Sequence, residues 1–212
     1  MPNGDYGLTE TCPEFPPCGG SGISGESYAA GSRVSAVLRD GTPVCLRAIR
    51  PDDKERLRIA FGRLSPRSVY QRFFHPINDL TPDALRHLTE IDFRDHVGLV
   101  LTVGEDADER LIAIGRFVRV ASARTCAELA VTVADEYQQR GAGTLLLGHL
   151  IGVARSVGVR ELVAHVLDDN REMVEVLENS KLPLRQRFED GIRRVVLSLD
   201  AEACRDATHS DG

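Results

Sequence analysis

The chain has 212 residues, of which 42% are hydrophobic and 27% charged, and its formal net charge is −6. These values are ordinary for a globular protein, and the acidic balance argues against a nucleic-acid partner, whose phosphates attract basic faces. No apolar run approaches the ~20 residues that span a bilayer, and no secretory signal is visible, so we expect a cytoplasmic protein without a membrane partner. The five cysteines are odd in number and lack zinc-ligand spacing, which favours neither disulfides nor a metal site.

The order of the predicted elements indicates an α+β fold. Residues 1–33 are rich in Gly, Pro and Ser and predict a disordered tail, residues 201–212 predict a frayed end, and one domain is expected over residues 34–200. The apolar spacing predicts the order β-β-α-α-β-β-β-α-β-α-β, which is typical of a mixed sheet with flanking helices. Predicted strands cover residues 33–38, 44–50, 97–103, 111–120, 126–133, 162–167 and 192–199. Predicted helices cover 54–64, 65–74 (helical or mixed), a segment that begins at 81, 141–157 and 170–179.

The most informative stretch is the strand-to-helix turn at residues 138–144 (QQRGAGT). Gly141 and Gly143 let the backbone approach a ligand and adopt positive φ, and the first N–H groups of the following helix form an anion site. Arg140 adds a positive charge. The stretch lacks the Gly-Lys-Ser/Thr of a Walker loop, and Leu146 stands where the dinucleotide fingerprint has its third glycine. From these residues alone, a phosphate site and a ligand-free turn both remain open.

The motif Gln138-x-x-Gly141-x-Gly143 resembles the acyl-CoA signature of the GNAT superfamily of N-acetyltransferases, and it lies in the same place, before the long helix. Residues 166–173 (VLDDNREM) resemble the second motif of that family, in which a strand ends in Asn and a helix follows. The resemblance covers roughly residues 44–199. It implies the GNAT fold, a mostly antiparallel sheet whose central parallel strands splay apart, and acetyl-CoA as cosubstrate without a metal.

The same resemblance implies a set of residues that bind the coenzyme. In that family, backbone amides of the turn hold the CoA pyrophosphate, and the pantetheine arm pairs with the preceding strand like an additional strand. An Asn at the position of Asn170 would contact the pantetheine arm or its neighbours. The implied residues are Leu129, Val131, Val133, Gln138, Gln139, Arg140, Gly141, Ala142, Gly143, Thr144 and Asn170.

Residues 127–138 (AELAVTVADEYQ) more closely resemble bacterial protein lysine acetyltransferases of the Pat type, which modify acyl-CoA synthetases. Residues 64–73 (LSPRSVYQRF) and 88–96 (LTEIDFRDH) extend this likeness to the acceptor side. Two family features are missing. Residues 177–179 (LEN) replace the region of a tyrosine that protonates the departing thiolate, and residues 181–184 (KLPL) replace the usual Gly-Phe.

Glu128 is the candidate general base. Only about 0.04% of a free lysine is neutral at pH 7, so a positioned base should accelerate its attack by roughly 10²–10⁴-fold. Glu128 is the only acid in its predicted strand and has apolar neighbours, so we expect it to be partly buried. The Pat-type resemblance also implies a catalytic glutamate here. A strand-end glutamate that faces water or pairs with an arginine is the alternative.

We therefore expect an acetyl-CoA-dependent N-acetyltransferase that modifies a protein lysine, such as one of an acyl-CoA synthetase, by direct attack. A small amine acceptor is the first alternative, and a CoA-binding module without catalysis is the second. Cys126 lies on the same strand face as Glu128, which leaves an acyl-cysteine route open, although a small buried cysteine is the more common explanation.

Overall fold

The computed structural model describes residues 31–200. The predicted tail therefore lies outside the described residues except for residues 31–33, and so does the predicted end at residues 201–212. The strands are β1 (Arg33–Val37), β2 (Pro43–Ala48), β3 (His96–Val103), β4 (Arg110–Val120), β5 (Ala123–Val133), β6 (Glu161–Leu167), β7 (Leu184–Glu189) and β8 (Ile192–Ser198). The helices are α1 (Lys54–Gly62), α2 (Pro66–Phe73), α3 (Pro82–Thr89), α4 (Ala142–Ser156) and α5 (Arg171–Glu178).

Within residues 31–200, the strands form one eight-stranded sheet in the order β1-β2-β3-β4-β5-β6-β8-β7. β5 and β6 are parallel, and the other neighbouring pairs are antiparallel. The predicted α+β class, with a mixed and mostly antiparallel sheet and a parallel pair near its centre, is confirmed. The sequence reasoning missed β7, whose residues (LRQRFE) show no clear apolar alternation and whose position is at the sheet edge.

Each face of the sheet carries its own apolar core. On one face, α4 buries Leu146 and Leu150 completely. Gly115 of β4 permits this close packing, because a Cβ there would lie 2.7 Å from Cδ1 of Leu150. On the opposite face, Leu57 and Phe61 of α1 are buried in a second cluster that includes residues of α2 and α3. The helices thus cover both faces and leave access to the sheet where β5 and β6 diverge.

The starts of α2 and α3 are fixed by side-chain caps. The Ser65 hydroxyl accepts a hydrogen bond from the Ser68 amide at 3.2 Å, and the Thr81 hydroxyl accepts one from the Ala84 amide at 3.1 Å. Proline follows each capping residue, where its fixed φ suits the first helical turn. The helix predicted from Thr81 is confirmed, and the segment that was predicted as helical or mixed is the helix α2.

The parallel pair separates partway along its length. β5 and β6 pair from Cys126 opposite Glu161 to Leu129 opposite Ala164. Beyond that point β5 stays paired with β4, and β6 stays paired with β8. A gap therefore opens between residues 130–133 and residues 165–167, and the backbone edge of β5 is left without a strand partner on that side.

Candidate active site

Two adjoining cavities occupy the gap between β5 and β6. The turn cavity, about 440 Å³, lies against residues 131–133, the turn before α4, and α5. The cleft cavity, about 600 Å³, lies between α2, α3 and the diverging strands. Two ligands bound in them would meet at their common wall. That wall consists of Gln71, Arg72, Val131, Asn170 and Met173.

The turn before α4 needs its two glycines for different reasons. Gly141 has φ +90°, which L side chains rarely adopt, and it is the N-cap residue of α4. Gly143 lies against α5, because a Cβ there would be 3.2 Å from Cγ2 of Val176. The Leu145 amide donates a hydrogen bond to the Gly141 carbonyl at 3.0 Å. The amides that come before Leu145 have no partner within the helix. Together with the helix dipole they can hold an anion.

Eight of the eleven predicted coenzyme residues line the turn cavity. Leu129 is buried and lines only the cleft cavity, whereas Arg140 and Ala142 line neither cavity. The eight are Val131, Val133, Gln138, Gln139, Gly141, Gly143, Thr144 and Asn170.

Gln138 fastens the turn to its surroundings. Its Nε2 donates to the Val133 carbonyl at 3.2 Å and to the Ser68 hydroxyl at 3.3 Å. Asp135, in the same turn, accepts hydrogen bonds from the Ser65 amide and from the Ser65 and Ser68 hydroxyls. These contacts tie the end of β5 and the turn to the start of α2.

The two arginines beside the turn differ in their partners. The Arg140 guanidinium pairs with Asp40 at 2.7 Å and stacks over the Tyr137 ring, so its backbone amide remains the predicted contact. Arg39, in the β1–β2 turn, lines the turn cavity instead and forms no ion pair within residues 31–200. Sequence reasoning missed Arg39, because no local signal links position 39 to the turn at position 141.

Glu128 lies on the wall of the cleft cavity, between Val118 of β4 and Val163 of β6 in the sheet register. Its side chain is exposed, so the expected partial burial was wrong. The pairing of β5 with β6 ends one residue later, and Glu128 therefore faces the opening rather than the core. It forms no ion pair or side-chain hydrogen bond with a residue of the described part. Its carboxylate is thus open to a group that enters the cleft.

Asn170 and Met173 hold the opposite wall. The Asn170 Oδ1 caps α5 by accepting a hydrogen bond from the Met173 amide at 3.1 Å. Because α5 starts at the end of β6, this cap places both side chains at the point where the cavities meet. Asn170 is therefore a structural cap as well as a candidate contact for a ligand.

Cys126 is poorly placed for covalent chemistry. It lines neither cavity, and its Sγ donates to Glu161 Oε2 at 3.4 Å. Burial and then the adjacent Glu161 carboxylate raise the pKa of the Cys126 thiol, which disfavours the thiolate needed for attack. The geometry therefore argues against an acyl-cysteine route through Cys126.

Several residues line the cleft without having been assigned a role from the sequence, and three of them carry side-chain N–H donors that matter below. Gln71 and Arg72 belong to α2, within the stretch that resembles the Pat acceptor side, and Arg116 belongs to β4. Arg116 has apolar residues on both sides near the middle of its strand (RLIAIGRFVRV), which was the available signal.

Neither a membrane segment nor a metal site is found in the described part of the chain. No helix there is long and apolar enough to cross a bilayer. No cluster of three His, Cys, Asp or Glu residues there could hold a metal ion.

Comparison with known proteins identifies the domain. Residues 65–180 match the model of the acetyltransferase (GNAT) family. An acetyltransferase of Pseudomonas aeruginosa is 38% identical over 136 residues, which cover 64% of this chain and 73% of that protein. Acetyltransferase Pat of Mycolicibacterium smegmatis is 39% identical over 145 residues, which cover 68% of this chain but only 43% of that protein. The matching region is thus less than half of Pat.

Solved structures agree with this assignment. The GNAT domain of S. lividans PAT superposes with a TM-score of 0.72 at 35% identity, over 78% of this chain and 96% of that domain. A Salmonella typhimurium protein solved with its cofactor acetyl-CoA superposes with a TM-score of 0.59 at 18% identity, over 77% of this chain and 98% of that one. The second likeness concerns the fold alone.

Proposed function

The chain belongs to the GNAT family of acetyltransferases, and from this premise we propose that it transfers the acetyl group of acetyl-CoA to a lysine side chain of a protein. The observation that carries the proposal is the pair of adjoining cavities at the gap between β5 and β6. One contains the turn with free helix amides, and the other contains an unpaired carboxylate, Glu128. Donor and acceptor would thus meet at their common wall.

The turn cavity suits the donor. The first amides of α4, which begins after Gly141, and the free guanidinium of Arg39 supply positive charge for the pyrophosphate of CoA. The edge of β5 beyond Leu129 has backbone groups without a strand partner on the β6 side, and an extended pantetheine arm can pair with them. This path leads from the turn to the common wall, where Asn170 and Met173 would flank the thioester.

The cleft cavity suits the acceptor amine. Glu128 would remove a proton from the ammonium, directly or through a water molecule, and the neutral nitrogen would attack the thioester carbonyl carbon. A backbone N–H of β5 near residues 129–131 would stabilise the oxyanion. When the C–N bond has formed, the C–S bond breaks and CoA leaves as a thiolate.

The departing thiolate has no tyrosine acid in this cavity. The tyrosines of the described part are Tyr70 and Tyr137, and neither lines the cleft cavity. A thiol has a pKa of about 8.5, so the thiolate is a good leaving group and water can protonate it. The absence of the family tyrosine is therefore compatible with turnover.

The acceptor we propose is a lysine on a protein surface. Glu128 and His165 are both exposed where they line the cleft, so a side chain that projects from another protein can reach them. The similarity to acetyltransferase Pat and to the S. lividans PAT domain supports the same class.

The test is an acceptor panel. The purified protein is incubated with acetyl-CoA and either acyl-CoA synthetases or small amines, and free CoA and acceptor mass are measured. We expect a synthetase lysine to be acetylated faster than any small amine. If only small amines are modified, the acceptor class is wrong. If acetyl-CoA binds but nothing is modified, the proposed activity itself fails.

The variant Glu128→Gln is assayed together with wild type in the same panel. The matched control is Glu105→Gln, because Glu105 is exposed and lies outside both cavities. We expect Glu128→Gln to lose roughly 10²–10⁴-fold in rate while its affinity for acetyl-CoA is retained. The control should keep wild-type rates.

A further inference from the structure

Arg116 is a buried cation without a counter-ion. Its side chain is 8% exposed, in the middle of β4 on the face covered by α1–α3. Its partners in the sheet register are Gly98 and Ala130. Within residues 31–200 the side chain of Arg116 forms no ion pair or hydrogen bond. An isolated buried charge is costly, so Arg116 calls for a partner that residues 31–200 do not supply.

Arg72 of α2 brings a second positive charge to the same place. Its guanidinium lies over the Phe73 ring, 5.0 Å from the centroid, and no carboxylate of the described part pairs with it. Arg72 and Arg116 both line the cleft cavity and a small apolar cavity of about 60 Å³ beside α1. Burial and then the charge of Arg72 lower the pKa of Arg116 to about 10, so Arg116 remains a cation at neutral pH.

The other polar groups around Arg72 and Arg116 include a further unpaired donor, and no carboxylate among them pairs with either arginine. Gln71 lines both large cavities, and its Nε2 is a buried donor without a partner. Two exposed acids line the cleft, Asp79 and Glu128, and two more line the turn cavity, Glu172 and Glu175. Within residues 31–200 none of the four forms an ion pair with Arg72 or Arg116. Three donors of α2 and β4 are thus left unpaired near the wall that the two cavities share.

We propose that Arg72, Arg116 and Gln71 form a binding site for a carboxylate that one of the two substrates carries. The identity of those substrates rests on the proposed function. The carboxylate belongs either to a dicarboxylic acyl chain on CoA, which would extend past the thioester into the cleft, or to an acidic side chain next to the acceptor lysine. A planar carboxylate matches the paired N–H donors of a guanidinium.

A binding experiment tests whether the acyl chain on CoA carries the carboxylate. Succinyl-CoA and butyryl-CoA have acyl chains of equal length that end in a carboxylate and a methyl group, and calorimetry gives the dissociation constant of each. If the donor carries the carboxylate, wild type should prefer succinyl-CoA by roughly 10- to 100-fold. Arg116→Met and Arg72→Met should each abolish most of this preference. Arg63→Met, an exposed arginine outside the cavities, should retain it.

The acceptor source is tested with two lysine peptides that differ only in Asp or Asn beside the lysine. Their binding to the CoA-saturated protein is followed by fluorescence anisotropy. If the acceptor carries the carboxylate, wild type should prefer the Asp peptide by a similar factor, and the same two variants should lose that preference.

The site is overturned if wild type discriminates within neither pair, or if its preference survives in both Arg116→Met and Arg72→Met. Because both readouts measure binding, they do not depend on turnover. A preference for succinyl-CoA that is lost in Arg116→Met, without any acyl transfer, would keep the carboxylate site and refute the proposed activity.

Discussion

Two arginines of the same sheet are buried in opposite electrostatic surroundings. Arg47 of β2 is 1% exposed, and its guanidinium donates to Asp53 at 2.7 and 2.8 Å and to Glu109 at 3.1 and 2.9 Å. Arg116 of β4 is 8% exposed and has no acidic partner in the described part. Burial opposes the charge of Arg47, but the hydrogen bonds and charges of Asp53 and Glu109 outweigh it and raise its pKa. The pKa of Arg116 is lowered.

The difference follows the location of each arginine. The Arg47 cluster joins β2 to the 3-10 turn Pro51–Asp53 before α1 and to Glu109, next to β4, and none of its residues lines the three cavities described above. There the chain supplies every partner, as expected of a structural ion pair. Arg116 faces the cleft where β5 and β6 diverge. A buried charge that the fold leaves unpaired beside a cavity is typical of a ligand site.

The largest effect on stability is expected in the Arg47 cluster, where the buried charge is paired. Asp53→Asn leaves Arg47 buried with one carboxylate fewer, and the free energy of unfolding should fall by about 3–5 kcal/mol. Urea denaturation measures it. Asp83→Asn, which breaks an exposed pair with Arg86, should change it by less than about 1 kcal/mol. A loss at Asp53 as small as that at Asp83 would contradict the structural role of the cluster.

Arg39 and Arg140 give the same contrast beside the turn. Arg39 is free and Arg140 is paired with Asp40, so Arg39→Ala should weaken acetyl-CoA binding by about 10-fold and Arg140→Ala by much less. Calorimetry at low and high salt measures both, and the effect at Arg39 should shrink with salt. Equal losses for the two variants would show that Arg140 exchanges Asp40 for the coenzyme.

The charge of Arg116 should also be visible in the pH dependence of stability through His96. Burial, then Arg116 and then His87, lower the pKa of His96 to about 4, whereas Asp92 opposes this shift. The unfolded chain binds this proton near pH 6.5, so stability is lost as the pH falls from 6.5 towards 4. Because the ring is only partly buried, the loss between pH 7 and pH 5 should be about 1 kcal/mol.

In Arg116→Met this loss should be smaller, because one of the charges that disfavour protonation of His96 is gone. Denaturant unfolding at pH 7 and pH 5 measures it in both proteins. An identical pH dependence would mean that Arg116 does not influence His96.

The smallest effect is expected from Arg116→Met at neutral pH. Because this change leaves no other charged group without its partner, the free energy of unfolding should be unchanged or rise by about 1 kcal/mol. The same denaturant experiment measures it. A loss of 3 kcal/mol or more would mean that Arg116 has a structural role like that of Arg47.

The sequence predicted the features that depend on local spacing. Local residue patterns were enough to predict the apolar stripe of α4, the turn with Gly141 and Gly143, and the position of Glu128 on β5. The order of the strands implied the fold. β7 was missed because an exposed edge strand needs little apolar alternation. The Asp190-Gly191 turn after it, with both φ values positive, was the signal that could have revealed it.

The features that the sequence did not predict depend on contacts between segments that are distant along the chain. Position 39 meets the turn at position 141, and Arg140 finds Asp40, only because β1 and β2 bring their connecting loop there. The exposure of Glu128 depends on where β5 and β6 stop pairing, which no strand pattern specifies. For Arg116, the sequence shows a cation in an apolar strand but not whether the fold provides its partner.

The central claim is that Glu128 takes the acceptor's proton beside a separately bound acyl-CoA. The most direct measurement is a single-turnover experiment in which wild type and Glu128→Gln, each preloaded with acetyl-CoA, are mixed rapidly with an acceptor and the release of CoA is timed. We predict equal occupancy by acetyl-CoA and a rate that is roughly 10²–10⁴-fold lower in Glu128→Gln. Equal rates in the two proteins at equal occupancy would contradict the account.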